Sequence, residues 1–193
     1  IVTRSNSSQL MNILVPIIAV FLTLITGSIF FYIMGFNPFF ALHTFFISPI
    51  STSYGISELL VKATPLALIA IGLAFCFKNN IYNIGAEGQL TMGAIFGGGI
   101  GILFHDTNAF WLLPLMIFGG AIGGALWGLI PAILKTKFNT NEILTSLMLT
   151  YVSLFILDYF VVGPWKDPAG YGLPKSMPFP DAGRLPVLFD GLR

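Results

Sequence analysis

The sequence predicts an all-α fold, a polytopic transmembrane helix bundle with about five spans. Hydrophobic residues make up 55% of the 193 residues and charged residues only 9%, whereas roughly a quarter of the residues are charged in ordinary soluble domains. The mean hydropathy of +0.86 agrees with this composition. The apolar residues also fall into runs of about 20, the length that a helix needs to cross the hydrocarbon core. We therefore expect a multi-pass membrane protein in contact with lipid.

Separate apolar runs predict the individual spans. They cover about residues 13–35, 57–78, 84–104, 110–134 and 142–162. The first run follows a polar stretch, as a signal sequence would, but its apolar core is too long and no small-residue cleavage pattern follows, so we expect it to be retained. Asn139 and Glu142 are spaced as a helix N-cap and its capping-box partner, which predicts that the last span begins there.

The segment 78–89 interrupts the apolar sequence between the second and third spans. It opens with Lys78 and two asparagines and continues through Asn83 and Glu87, with Gly85 between these two residues and Gly88 after them. A break of this kind is costly in lipid, so it belongs at a turn, in a packed interior or on a transport path. We therefore predict a broken helix near residues 78–89.

The positive charges predict an orientation. If the five spans alternate, Arg4, Lys78, Lys135 and Lys137 fall on one side of the membrane. Cytoplasmic loops carry the excess of lysine and arginine near helix ends. The N-terminus is therefore expected in the cytoplasm, and the proline-rich segment 163–193 is expected to form an outer loop.

Two glycine ladders predict close helix packing. Each repeats every four residues, which puts its members on one face of a helix and allows another backbone to approach. The first lies in the third span and the second in the fourth: Gly93, Gly97 and Gly101, then Gly120, Gly124 and Gly128. Packing within the chain is favoured, and a contact between two copies is the alternative.

The sequence contains no motif that would indicate catalysis. It has no phosphate-binding loop, no histidine, cysteine or carboxylate cluster with metal-ligand spacing, and no nucleophilic serine motif. We therefore expect neither an enzyme nor a metal site. No basic cluster suggests nucleic acid as a partner. Ionisable residues within the spans are too few to suggest a proton relay across the membrane.

Three segments together resemble a known family. They are GLAFCFKNNIYNIGAEGQLTMGA, KFNTNEILTSLMLTYV and GPWKDPAGYGLPKSMPFPDAGRLP, within residues 59–186. The chain resembles the membrane-spanning permease subunit of ATP-binding-cassette (ABC) importers, in the branch that serves nucleosides and simple sugars of the ribose and galactose type. Asn80 stands where relatives commonly have glycine, and asparagine tolerates the left-handed backbone that the turn would need.

The resemblance implies partners and a location. Permeases of this family pair with a second permease subunit, with ABC ATPase subunits that bind ATP and Mg, and with an extracytoplasmic solute-binding protein. They lie in the bacterial inner membrane and bind no cofactor themselves. They are also longer than this chain, which is therefore expected to be the N-terminal part of a single permease domain, with the main ATPase-coupling element beyond residue 193. The outer loop resembles nucleoside-type members more closely than sugar-type members.

On this interpretation the broken helix lines or gates the substrate path. Asn83, Glu87 and Gln89 would hydrogen-bond to solute hydroxyls or a base edge, and Phe75 and Tyr82 would stack on a nucleobase.

Other interpretations stay open. Asn83 or Gly85 could cap the third helix, with Glu87 complementing its positive end, and the aromatic side chains could serve packing alone. The protein could also be a simple-sugar permease, an ion-coupled secondary transporter or a membrane scaffold.

Overall fold

The computed structural model describes residues 9–186. Arg4 and residues 187–193 of the predicted outer loop lie outside the described residues. The described chain is helical and contains no β-strand, which confirms the all-α prediction. Its helices are α1 (Gln9–Ile33), α2 (Pro38–Phe46), α3 (Ser53–Lys78), α4 (Ala86–Leu103), α5 (Leu112–Phe138) and α6 (Glu142–Val162), with short 3₁₀ turns at Ser48–Ile50 and Asp181–Gly183.

The chain divides into two compact units. Of the described residues, the first unit contains 9–63 and the second contains 64–186. Helix α3 begins in the first unit and ends in the second. Among the described residues of the first unit, α1 and α2 pack against each other. In the second unit, α4 packs against both α5 and α6.

Four described helices have the length and composition of membrane spans, namely α1 from Leu10 onward, α3, α5 and α6. Helix α4 has 18 residues, and at 1.5 Å per residue it is about as long as the hydrocarbon core is thick. The glycines of α4 and the polar residues of its first turn lower its mean hydropathy. It is the fifth candidate span, in agreement with the prediction of about five.

The short helix α2 was not predicted. It begins after Asn37, whose side-chain oxygen accepts hydrogen bonds from the N–H groups of Phe39 at 3.0 Å and Phe40 at 3.4 Å. Pro38 occupies the first helical position, where a missing N–H has no consequence. The Asn-Pro pair was therefore a readable start signal inside an apolar stretch.

The predicted helix break lies at residues 79–85. Helix α3 ends at Lys78, and Asn80 has the left-handed conformation with φ of 56° that its residue type was expected to tolerate. Helix α4 already begins at Ala86, so Glu87 and Gln89 are helical and only Asn83 lies within the break. The polar break is therefore shorter than the sequence suggested.

The predicted N-cap at Asn139 is wrong. Asn139 is left-handed, with φ of 51°, and its N–H donates to the Lys135 carbonyl at 3.0 Å, so it ends α5. Asn141 caps α6 instead, because its side-chain oxygen accepts from the Ile143 N–H at 3.0 Å. Glu142 becomes the first helical residue. The turn needs one left-handed residue to end a helix and one extended residue to start the next, so the two asparagines divide these tasks.

The glycine ladders bring the backbones of α4 and α5 close together. A Cβ atom added to Gly93 would lie 3.0 Å from the carbonyl oxygen of Gly120, and one added to Gly97 would lie 2.7 Å from that of Met116. A Cβ on Gly124 would lie 3.0 Å from the carbonyl oxygen of Gln89. These ladder positions therefore serve packing between two helices of the same chain.

The segment after α6 folds back over α4. Trp165 stacks on Phe160 with ring centroids 4.5 Å apart, and a Cβ on Gly99 would lie 3.0 Å from the Trp165 ring. Phe179 would meet a Cβ on Gly101 at 2.9 Å. The glycines near the end of α4 thus seat the aromatic side chains of this segment.

Candidate functional site

A cavity of about 230 Å³ lies in the second unit, where α3 and α5 end and α4 and α6 begin. Its wall is mostly apolar, with a few amide, hydroxyl and charged groups. The lining residues are Cys76, Ile81, Asn83, Gln89, Gly128, Pro131, Ala132, Lys135, Thr136, Glu142 and Ser146.

A second cavity of about 350 Å³ lies along α3. It is lined by Leu68, Ile69, Gly72, Leu73, Cys76, Asn83, Ala86 and Gln89. Cys76, Asn83 and Gln89 line both cavities. Two of the sequence-predicted path residues, Asn83 and Gln89, therefore lie together at the junction of two cavities.

Asn83 holds the turn that precedes α4. Its side-chain oxygen accepts a hydrogen bond from the Gly85 N–H at 2.9 Å, and the adjacent Ile84 N–H donates to the Ser146 hydroxyl at 3.1 Å. Gly85 occupies the N-cap position of α4 and has no side chain to offer it. Asn83 thus has a structural role through its oxygen, while its NH₂ group remains as a donor at the cavity wall.

The other predicted path residues do not line either cavity. Phe75 is 68% exposed, and the Tyr82 ring packs against Phe77, with centroids 5.7 Å apart. Glu87 is exposed in the first turn of α4, where a negative charge complements the positive end of the helix. For these three residues a role on a substrate path stays a prediction.

The cavity wall contains an ion pair that was not predicted from the sequence. Lys135, near the end of α5, lies 2.8 Å from the carboxylate of Glu142, the first residue of α6. The Glu142 side chain is only 15% exposed, so the pair is partly shielded from water. The opposite charges make this part of the wall close to neutral. A lysine before a short turn and a glutamate after it were the available signal.

A stripe of small polar residues on α6 was also missed. Ser146, Thr150 and Ser153 are buried at helical spacing. A Cβ on Gly88 would lie 2.8 Å from the Thr150 Cα, and one on Gly85 would lie 2.7 Å from the Ser146 carbonyl oxygen. The glycines around Glu87 therefore let α4 approach α6.

No group of three histidine, cysteine or acidic residues that could hold a metal ion occurs among residues 9–186.

Comparison with known proteins identifies the family. The family model described as "Branched-chain amino acid transport system / permease component" matches residues 55–191. The chain is 36% identical over 173 residues to a glucose ABC transporter permease protein of Haloferax volcanii, covering 90% of this chain and 45% of that protein. It is 32% identical over 159 residues to a guanosine ABC transporter permease protein of Bacillus subtilis, covering 82% and 45%.

A nucleoside ABC transporter permease protein of Lactococcus lactis is 33% identical over 150 residues, which cover 78% of this chain and 41% of that protein. The chain thus spans less than half the length of these relatives. No solved structure matches it significantly. The family match covers most of the chain, and its helices have the composition of membrane spans. The chain is therefore a multi-pass membrane protein that belongs to the family of transport-system permease components.

Proposed function

We propose that the chain forms part of the membrane permease subunit of an ABC importer, and that its two cavities belong to the path of a nucleoside or related sugar-containing solute. The names of the relatives support this class of solute, since they include glucose, guanosine and nucleoside permeases. The family description names a permease component. This supports the binding of ATP and Mg by separate ATPase subunits.

One observation carries the proposal: Asn83 and Gln89 line both cavities. Their neutral amides can donate and accept hydrogen bonds with hydroxyls or a base edge. The Lys135 charge is already paired with Glu142. An amino acid would bring a carboxylate and an ammonium group, each of which needs a charged partner when it leaves water. A neutral, hydroxyl-rich solute therefore suits these walls better.

The transport mechanism follows from two alternating states. Two permease subunits would rock between outward-facing and inward-facing arrangements, with ATP binding and hydrolysis on the partner subunits shifting the balance between them. An extracytoplasmic solute-binding protein would deliver the solute. A nucleoside is our first choice because of the outer-loop resemblance, and a simple sugar is the alternative. A scaffold would have no need of amide-lined cavities at the helix break.

Solute should protect Cys76 from alkylation. Cys76 is half-buried and lines both cavities, so a bound solute would exclude a maleimide reagent. In the full-length protein, with any other cysteine replaced by serine, nucleoside at ten times its Kd should slow labelling roughly tenfold. The measurement is the labelling rate by mass spectrometry. Thr107→Cys in a Cys76→Ser background is the control and should label at the same rate with or without solute. An unchanged Cys76 rate with both nucleoside and glucose at millimolar concentration would contradict the proposed path.

We also propose that the N-terminus is cytoplasmic. In intact cells that carry the full-length protein without Cys76, a cysteine at Thr136 should resist a membrane-impermeant thiol reagent, because Lys135 and Lys137 mark the inner side. A cysteine at Thr107 should react. The reverse pattern of labelling would show that the orientation is inverted.

A further inference from the structure

Gly128 differs from Gly97 and Gly124, two other glycines at the contact between α4 and α5. A Cβ on Gly97 or Gly124 would meet a backbone carbonyl oxygen. A Cβ on Gly128 would instead meet the end of the Gln89 side chain, at 3.0 Å from Nε2 and 3.2 Å from Cδ. Gly128 and Gln89 both line the 230 Å³ cavity. The missing side chain at Gly128 therefore leaves the space in which the Gln89 carboxamide lies.

The Gln89 carboxamide is not used by the rest of the described chain. No hydrogen bond between described residues involves it, whereas Asn83 uses its oxygen to hold the turn before α4. A primary amide that is half-buried at a largely apolar wall is costly unless a ligand or water completes its hydrogen bonds. Its donor and its acceptor lie side by side at the junction of the two cavities.

We propose that Gln89 is a specificity-determining residue that recognises a vicinal diol, and that Gly128 is its positioning residue. This inference rests on the proposed function. A carboxamide presents one N–H donor beside one carbonyl acceptor, and two adjacent hydroxyls present one acceptor oxygen and one O–H donor in the complementary arrangement. Ribonucleosides and hexoses share this diol on their sugar rings. Recognition of the diol would allow the same Gln89 side chain to bind either class of solute.

The test compares a ribonucleoside with its 2′-deoxy analogue, which lacks the diol. The assay is Cys76 protection in the full-length protein, read as the solute concentration that halves the labelling rate. For the wild type this concentration should be about tenfold higher for the deoxy analogue, as expected for the loss of one good hydrogen bond. In Gln89→Ala the ratio should fall to about one.

Gly128→Ala tests the positioning role. The added methyl group displaces the carboxamide by a few tenths of an ångström, so the ratio should fall several-fold while the thermal midpoint stays near that of the wild type. In the Gln89→Ala background, Gly128→Ala should leave the ratio unchanged. A structural effect that does not act through Gln89 would change the ratio in both backgrounds. Gly27→Ala is the control, because Gly27 lies in α1, lines neither cavity and has no described atom within 4 Å of an added Cβ. It should keep the wild-type ratio.

The outcomes distinguish a failure of the proposed solute path from a failure of diol recognition by Gln89. If neither solute protects wild-type Cys76, the proposed path itself is wrong. If both solutes protect equally in the wild type, or if the ratio survives in Gln89→Ala, recognition of a diol by Gln89 is wrong and the path remains. If Gly128→Ala keeps the full ratio, Gly128 is not a positioning residue.

Discussion

Gly88→Ala should destabilise the full-length protein by about 1–3 kcal/mol, the usual cost of overpacking a tight contact. The added Cβ would lie 2.8 Å from the Thr150 Cα, and backbone cannot yield as a flexible side chain can. Helix α4 cannot easily move away from α6, because its opposite side is packed against α5. There, a Cβ added to Gly97 would lie only 2.7 Å from the Met116 carbonyl oxygen. The measurement is the thermal unfolding midpoint of the purified protein in detergent, together with its membrane abundance.

Gly27→Ala provides the control for Gly88→Ala. Gly27 lies inside α1, and no described atom lies within 4 Å of an added Cβ. Alanine is a better helix former than glycine by up to about 1 kcal/mol, so this change should be neutral or stabilising. A wild-type midpoint in Gly88→Ala would show that α4 does not pack this closely against the Thr150 backbone of α6.

The spans could be predicted because membrane insertion depends on a local property, the length of an apolar run. The ends of helices were harder. Asn139 and Asn141 both suit a cap, and the choice between them depends on where α5 ends and on the Lys135–Glu142 pair across the turn. The end of α5 is not visible in a window of a few residues. The start of α4, predicted near residue 84, lies at Ala86, and Gly85 is its N-cap, as one of the alternative interpretations had it.

The candidate site was only partly predictable. Glu87 and Gln89 look equivalent in sequence, but once both are helical they are about 200° apart around the axis and face opposite sides. Gln89 reaches the cavity and Glu87 does not. Ser146 contributes to the same wall from 62 positions away in the chain, through its hydrogen bond with the Ile84 N–H. Such long-range neighbours depend on helix packing, which hydropathy does not encode.

Reconstituted alone, the full-length protein should move no solute against a gradient. The family is a transport-system permease component, and we propose that the energy for transport is released on partner ATPase subunits. Passive leak should also be small, since the path opens to only one side at a time in an alternating mechanism. The effect is close to all-or-none, because no accumulation is expected until the partners are added.

The most direct measurement is the uptake of a labelled nucleoside into proteoliposomes that contain the full-length permease, with ATPase subunits and solute-binding protein added in turn. We predict accumulation above the external concentration only when both partners and hydrolysable ATP are present, and none with a non-hydrolysable ATP analogue. Accumulation driven by a proton or sodium gradient, in vesicles that lack the ATPase, would contradict the assignment as an ABC importer permease.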